Sequence, residues 1–214
     1  MKIYLSPSNQ DHNKGYGSYG SEQTRMFEIA EKLKLILERC KQTVYISKKG
    51  MTYQQAVSES NKRKCDIHIA IHSNAFNTAI RGTQTMYVSN SGKRLAQGIY
   101  DLLEAFTPTQ DRGNRENKNL YELNNTTAVS AYLELMFHDN KEDATLIMNN
   151  TEYIAELIAK GTCKYLKVPY IDKIAKTSDK LYHVQIGAYG IKSNADNIVK
   201  ELEQKGYKPF IKFE

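Results

Sequence analysis

The stretch Asp66–Ala75, with the sequence DIHIAIHSNA, decides the fold of this chain. A run of strand-forming apolar residues ends there in His72, which is followed by small polar residues. Ligands of open α/β folds bind at the carboxyl ends of the sheet strands. His72 therefore occupies a position that is typical of a metal ligand.

A second stretch, Val129–Asn140 (VSAYLELMFHDN), repeats this design with a lone carboxylate, Glu134, in the interior of an apolar strand. Burying a carboxylate is costly unless it has a partner, binds a cation or is kept neutral. We therefore expect a functional role for Glu134. The alternative is a structural ion pair with Arg112 or Arg115.

Strand and helix patterns alternate along the first three quarters of the chain. This order predicts an α/β fold with a mixed, mostly parallel twisted sheet that is flanked by helices on both faces. Besides the two stretches above, strands are predicted at Lys2–Leu5, Thr43–Ile46, Thr83–Val88 and near Leu120–Leu123. Helices are predicted after the N-cap Ser21, near Tyr53–Arg63, from about Leu95 to Phe106, and from Asn140 and Thr151.

The remainder of the chain predicts a small appended unit. We divide the sequence into a main domain (1–167), a polar linker (168–180) and a βαβ unit (181–214) with a central helix at Ser193–Lys205. A unit of fewer than about 40 residues rarely folds alone. We expect it to dock on the main domain or to pair with a second copy, and a homodimer through residues 181–214 is the arrangement that we favour.

Composition favours some classes of partner but does not identify one function. The chain has 214 residues and a formal net charge of +6, which favours polyanionic partners such as nucleic acid or anionic cell-wall polymer. No clustered arginine stripe or aromatic RNA-binding signature is present, which argues against a specific nucleic-acid partner. Cys40, Cys65 and Cys163 lack CxxC spacing, and we interpret them as reduced thiols in or near the core.

The first ten residues, MKIYLSPSNQ, contain an apolar segment that is too short for a signal peptide. No apolar run approaches the roughly 18 residues that span a membrane. We therefore expect synthesis in the cytoplasm without a signal peptide and no membrane span.

Five histidines are available as metal ligands, and strand geometry limits their use. His68 and His72 share one strand face, but four strand residues span roughly 13 Å, whereas a Zn–N bond is about 2.1 Å. At most one of the two binds a given metal, and His72 at the strand end is the better placed, so His68 is predicted to be a hydrogen-bonded core histidine. His138 is interpreted as a surface or loop residue, and His183 belongs to the appended unit.

Several motifs occur in a characteristic order. They are His12 after the first strand, Glu22 at the first helix start, IAIHSNA, GTQTMYV, DRG at 111–113, LYEL and AYLELMFHDNKEDA. In this order they resemble the zinc-dependent N-acetylmuramoyl-L-alanine amidases of the amidase-3 type, over residues 1 to about 167. Members of that family cleave the amide between the lactyl group of muramic acid and the first L-alanine of the stem peptide, and the likeness is greatest to phage endolysins and to autolysins of spore-forming Gram-positive bacteria.

The resemblance implies a zinc site formed by His12, Glu22 and His72. Glu134 would take a proton from the attacking water and return it to the leaving nitrogen. Asn74 and Arg112 would contact substrate. Many family members carry the first ligand in a GHGG turn, where this chain has Ser8, Asn9 and Gln10. The role is therefore moved to His12, and a site completed by water or by Asn9 stays open as the alternative.

The C-terminal residues 181–214 resemble half of a SPOR domain, a peptidoglycan-binding βαβ repeat that binds glycan strands stripped of stem peptides. The alternative is a βαβ cap without a binding function. The resemblances together imply a peptidoglycan hydrolase that reaches the wall after holin-type release or cell lysis. A catalytically silent wall-binding protein and, less favoured, a basic nucleic-acid-binding protein are the other hypotheses.

Overall fold

The computed structural model of this chain describes residues 1–107, 112–173, 185–207 and 209–212. The chain separates into two compact units, Met1–Lys173 and Ile174–Glu214. In the described part, no helix has the length and apolarity that a membrane crossing needs.

The first unit contains one six-stranded sheet. Its strands are β1 (Lys2–Pro7), β2 (Thr43–Ile46), β3 (Ile67–Asn74), β4 (Gln84–Tyr87), β5 (Asn114–Glu116) and β6 (Val129–Phe137). Their spatial order is β2-β1-β3-β6-β4-β5. The β4–β6 pair is antiparallel and the other four pairs are parallel. The predicted mixed, mostly parallel sheet is therefore confirmed.

Helices cover both faces of this sheet. They are α1 (Glu22–Arg39), α2 (Tyr53–Lys62), α3 (Asn90–Phe106), α4 (Tyr121–Asn125), α5 (Lys141–Asn149) and α6 (Thr151–Leu166), and a 3-10 turn precedes α1 at Gly17–Tyr19. Because side chains alternate along a strand, the two faces carry different residues. Helices α1, α3, α5 and α6 pack on the face that carries Ile3, Ile69 and Leu133. Helices α2 and α4 pack on the opposite face.

Capping side chains fix the two helix starts nearest the functional edge of the sheet. Ser21 Oγ accepts the backbone N–H of Thr24 at the start of α1, as the sequence predicted. Asn140 Oδ1 accepts the N–H groups of Glu142 and Asp143 at the start of α5. These caps set where the first turn of each helix begins.

The strand predicted near Leu120–Leu123 is wrong. This segment forms the short helix α4, and the strand lies earlier in the chain, at β5. Leu120 and Leu123 are three residues apart and so share one side of a helical turn. Both pack against a small cluster that includes Met86 and Tyr132. The difference matters because α4 carries Glu122.

The three cysteines are free and buried, which confirms their interpretation as reduced core thiols. Val168, Tyr170 and Ile171 fall in the predicted linker, but they pack against the main core. The Arg39 side chain also donates to the Ile171 carbonyl at 2.8 Å.

The second unit contains the helix α7 (Lys192–Gln204), close to its predicted bounds. The described residues on either side of it, 185–191 and 209–212, form no strand. A strand needs a neighbouring strand as its hydrogen-bonding partner. Among the described residues of this unit there is no such neighbour. His183 and parts of the two predicted flanking strands lie outside the described residues. Several apolar side chains here are exposed, among them Ile186 (70%), Ile191 (63%) and Ile211 (46%).

A candidate active site at the ends of β3 and β6

The two stretches that the sequence analysis singled out are neighbouring parallel strands. His72 of β3 is paired in register with Glu134 of β6. Immediately beyond this pair the register shifts, so that Asn74 is opposite Phe137. Met136, within the shift, has a φ of 60°, a left-handed conformation that is rare for a side chain of its size. Such conformations concentrate at functional sites.

Glu22 reaches His72 from the first turn of α1. Its Oε1 lies 2.9 Å from His72 Nδ1 and also accepts the N–H of Ser73 at 3.3 Å. Its Oε2 accepts from the Asn13 side-chain amide at 2.9 Å. Glu22 is 1% exposed. The structure therefore brings together two of the three predicted metal ligands, with one oxygen and one ring nitrogen in contact.

A third carboxylate, Glu122, was missed by the sequence analysis. It is buried on α4, with its Oε2 3.7 Å from His72 Nε2 and its Oε1 3.1 Å from His68 Nε2. His68 is fully buried, and its predicted role as a hydrogen-bonded core histidine is confirmed. The LYEL motif contained the relevant signal, because a glutamate beside leucines that pack in the core requires a partner.

Three carboxyl groups thus surround one imidazole. Burial lowers the pKa of His72, but Glu122 and Glu22, together with the charge of Glu134, outweigh it and raise that pKa to about 10. Burial raises the pKa of Glu122, but the hydrogen bond from His68 and the ion-pair contact with His72 lower it to about 2. For Glu22, burial is likewise outweighed by His72, and the pKa lies below its usual value. The surplus of negative charge favours a cation in this position.

Glu134 differs from the other two carboxyl groups. Its Oε2 is buried and has no hydrogen-bond partner among the described residues. Burial raises the pKa of Glu134 to about 7; the charge of His72 acts against this rise and that of Glu22 adds to it. No ion pair with Arg112 or Arg115 is present among the described residues, so the structural alternative for Glu134 is not supported.

The other predicted site residues lie around this centre. The Arg112 guanidinium lies over the Phe137 ring, 4.9 Å from its centroid, and the Arg112 carbonyl accepts from Gln84, the cross-strand neighbour of Glu134. Asn74 follows the register shift, and its side chain accepts the N–H of Ala75.

His12 is exposed in the loop before α1. It directly precedes Asn13, whose side chain contacts Glu22. Within the described ranges, no group of three or more His, Cys, Asp or Glu side chains converges in a metal-binding geometry. The assignment of His12 therefore stays a prediction, and so does the alternative with Asn9.

His138 lies in the turn after β6, as a loop residue does, but it is not a surface residue. His138 is fully buried, its ring stacks on Tyr19 with centroids 5.4 Å apart, and its Nδ1 is 2.9 Å from Ser73 Oγ. It follows the end of β6 directly, and its backbone N–H donates to Asn74. His138 lies at the end of a strand in the middle of the sheet, and this position places it in the core. The polar residues that follow it in the sequence indicated a surface position instead.

The donor set can be tested against zinc, which takes nitrogen and oxygen ligands and in catalytic sites keeps a position for water. Glu22 Oε1 and His72 Nδ1 converge, and a carboxylate with an unpaired buried oxygen occupies the neighbouring strand position. These features fit a catalytic zinc site in donor type and charge. Glu134 lies outside the converging pair of Glu22 and His72.

Residues 3–164 match the family described as N-acetylmuramoyl-L-alanine amidase, Amidase_3. Residues 178–214 match the SPOR domain.

Two curated relatives differ in how much they share with this chain. An uncharacterized cell wall amidase of Bacillus anthracis is 37% identical over 97 residues, which are 41% of this chain and 18% of that protein. The N-acetylmuramoyl-L-alanine amidase CwlM of Bacillus licheniformis is 23% identical over 97% of this chain and 83% of that protein. The chain spans a third or less of the length of the Bacillus anthracis relative and of a 38.4 kDa protein of Clostridium perfringens.

Among solved structures, the catalytic domain of CwlV, an amidase of Bacillus (Paenibacillus) polymyxa var. colistinus, superposes with a TM-score of 0.72. The match covers 79% of this chain and 99% of that domain at 24% identity. At this identity the likeness establishes the fold.

Proposed function

We propose, because this chain belongs to the N-acetylmuramoyl-L-alanine amidase family Amidase_3, that it hydrolyses the amide bond between N-acetylmuramic acid and the first L-alanine of the peptidoglycan stem peptide. The observation that carries this proposal is the contact between Glu22 and His72 beside the unpaired Oε2 of Glu134. It combines a cation site with a proton-transfer group, which are the two parts that amide hydrolysis by a metal-activated water requires.

The family is generally zinc-dependent, and we propose zinc for this chain with Glu22 and His72 as ligands. His12 is the proposed third ligand because it adjoins Asn13, which contacts Glu22. Zinc, when bound, supplies Lewis-acid activation of water and of the scissile carbonyl.

Glu134 has two successive tasks in this proposal. It takes a proton from the water whose oxygen attacks the lactyl carbonyl carbon, and it delivers a proton to the alanine nitrogen as the C–N bond breaks. A group can perform both tasks near neutral pH when its pKa is close to that pH. Burial, which raises the pKa of Glu134 to about 7, supports this assignment.

The remaining side chains of the site orient the reacting groups. Tyr132 stacks on His72 with ring centroids 4.6 Å apart and so limits rotation of the imidazole. Arg112 and Asn74, at the same end of the sheet, are the proposed contacts to substrate. The net charge of +6 favours approach to an anionic wall polymer.

The C-terminal residues 181–214 are proposed to bind peptidoglycan glycan strands, which the SPOR match supports. Their exposed apolar residues, such as Ile186 and Ile191, support pairing of this unit with a second copy. Residues 1–167 would then be the catalytic domain and residues 168–180 the connection. We propose that the protein meets the wall after holin-type release or cell lysis.

Digestion of purified cell walls tests the proposed reaction. Cleavage at the proposed bond frees the amino group of the stem-peptide L-alanine and releases no reducing sugar. We expect new N-terminal alanine with the zinc-loaded protein and its loss after chelation. Reducing ends without free alanine would indicate a glycosidase, and binding without any product would indicate the catalytically silent alternative.

A further inference from the structure

Glu122 lies buried between two histidines, and the proposed mechanism gives neither Glu122 nor His68 a task. Its Oε1 is 3.1 Å from His68 Nε2, a hydrogen-bond distance, and its Oε2 is 3.7 Å from His72 Nε2, an ion-pair distance. Glu122 is 4% exposed and His68 is fully buried. A buried carboxylate between two imidazoles is strongly destabilising if either neighbour is removed, so its placement calls for a reason.

The geometry of the His72 ring separates the two carboxylates that it contacts. Nδ1 faces Glu22 at 2.9 Å, whereas Nε2 faces Glu122. The lone-pair directions of the two ring nitrogens diverge, so a cation held by Glu22 and His72 Nδ1 lies on the side of the ring away from Glu122. Glu122 is therefore not a ligand of that cation. Its negative charge, at ion-pair distance, instead favours a proton on Nε2.

We propose that Glu122, held in place by His68, is a positioning residue that fixes His72 with Nε2 protonated and Nδ1 directed at the cation. Histidine ligands of metals nearly always donate their other ring N–H to such an outer acceptor, which sets both the tautomer and the ring orientation. This inference rests on the proposed zinc site, and it deepens that site by assigning a pair of residues outside the ligand set.

His68 is itself held rigidly. Its ring stacks on Tyr4 with centroids 5.5 Å apart, and the Tyr4 hydroxyl donates to Glu59 at 2.8 Å. His68 Nδ1 is buried without a hydrogen-bond partner among the described residues. An unpartnered lone pair is less costly than an unpartnered N–H donor at this position, so Nε2 carries the proton and donates it to Glu122. The contacts that orient His72 therefore run from His68 through Glu122 to His72.

Zinc affinity of the full chain tests the proposal, measured by competition with a chromogenic chelator. Glu122→Leu is expected to weaken zinc binding by roughly 10- to 100-fold, the usual effect of removing such an outer partner. His68→Leu is expected to weaken zinc binding in the wild-type background and to add little in the Glu122→Leu background, since His68 acts through Glu122. Glu152→Gln, at an exposed carboxylate that pairs with Lys173 at the start of α6, is the control and should leave zinc affinity within twofold.

If Glu122 had a purely structural role, its replacement would lower the melting temperature without changing the tautomer of His72. The ring ¹⁵N resonances of His72 in the zinc-loaded protein are therefore the second readout, in wild type and in the isosteric Glu122→Gln variant, which also decides the question if Glu122→Leu does not fold. We expect protonated Nε2 in wild type and a changed ring signature in Glu122→Gln. Folded Glu122 variants with wild-type zinc affinity and an unchanged His72 signature would overturn this inference alone, whereas a wild-type chain that binds no zinc would overturn the proposed function.

Discussion

At the scale of single residues, the buried carboxyl of Glu134 gives a prediction about stability. Burial raises the pKa of Glu134 to about 7 from an ordinary value near 4.5. The folded chain therefore holds a proton between these two pH values that the unfolded chain releases, so this residue's contribution to stability falls as the pH rises through the interval.

The test compares Glu134→Gln with wild type in excess chelator, by denaturant unfolding at a series of pH values. Gln is always neutral, so its advantage over wild type is expected to grow between about pH 4.5 and pH 7, by up to about 3 kcal/mol, and then to level off. Glu59→Gln, at a carboxylate whose pKa is lowered despite the opposing effect of burial, should not show this growth. A pH-independent difference for Glu134→Gln would show that the carboxyl is not held in its neutral form.

How far the sequence predicted the site depends on the residue. The predicted strand ends and one predicted helix start were enough to predict that Glu22, His72 and Glu134 lie close together. The reason is that the carboxyl ends of parallel strands lie at one edge of the sheet. Glu122 could not be predicted in the same way, since its segment was interpreted as a strand and its contact to His72 joins residues 50 positions apart in the sequence. The orientation of the His12 side chain depends on loop conformation, which periodicity does not determine.

At the scale of secondary structure, the contact between α3 and α6 is set by two glycines. A Cβ on Gly161 would lie 2.6 Å from the Ile99 Cα and 2.7 Å from the Gly98 carbonyl oxygen, and backbone atoms cannot move aside as a flexible side chain can. Gly161→Ala is therefore expected to destabilise the first unit by about 1–3 kcal/mol. This is the opposite sign to the gain of roughly 1 kcal/mol that alanine gives in an unobstructed helix.

Chemical denaturation of the full chain measures this change. Lys164→Ala, on the exposed side of the same helix, is the control and should stay within about 0.5 kcal/mol of wild type. An alanine at position 161 that stabilises the protein would mean that α3 and α6 separate without cost, and the close helix contact would then have no energetic weight.

The elements themselves were mostly predictable, and the exceptions share one cause. Strongly periodic segments such as α1 and α3 appear where apolar spacing placed them. The segment Tyr121–Asn125 has only one turn of pattern, and at that length helical and strand alternation cannot be distinguished. The left-handed Met136 likewise has no local signal, because its conformation results from the register shift between β3 and β6.

At the scale of the whole molecule, residues 174–214 form a separate unit whose described apolar side chains are largely exposed. A unit of this size buries too little surface to be stable alone. The proposed homodimer predicts that the full chain sediments as a dimer at tens of micromolar, a rough order of magnitude for such an interface. Two tethered catalytic domains would gain effective concentration on the polymeric wall.

Two substitutions in the second unit test whether its exposed apolar side chains form the dimer contact. Ile186→Lys introduces a charge at an apolar side chain that is 70% exposed and is expected to shift the chain to monomer. Lys200→Ala, an exposed polar position of α7, should leave the dimer unchanged. A wild-type chain that stays monomeric throughout this concentration range would contradict the dimer and favour docking onto the first unit.

The central claim is that Glu134 transfers the proton in a zinc-dependent amidase, and Glu134→Gln tests it most directly. The substitution removes the titratable group but no proposed ligand, so zinc content should match wild type and the variant should remain folded. The rate at which N-terminal alanine is released from purified cell walls should fall by about 10²- to 10⁴-fold. A folded, zinc-loaded Glu134→Gln protein that releases alanine at close to the wild-type rate would contradict the account.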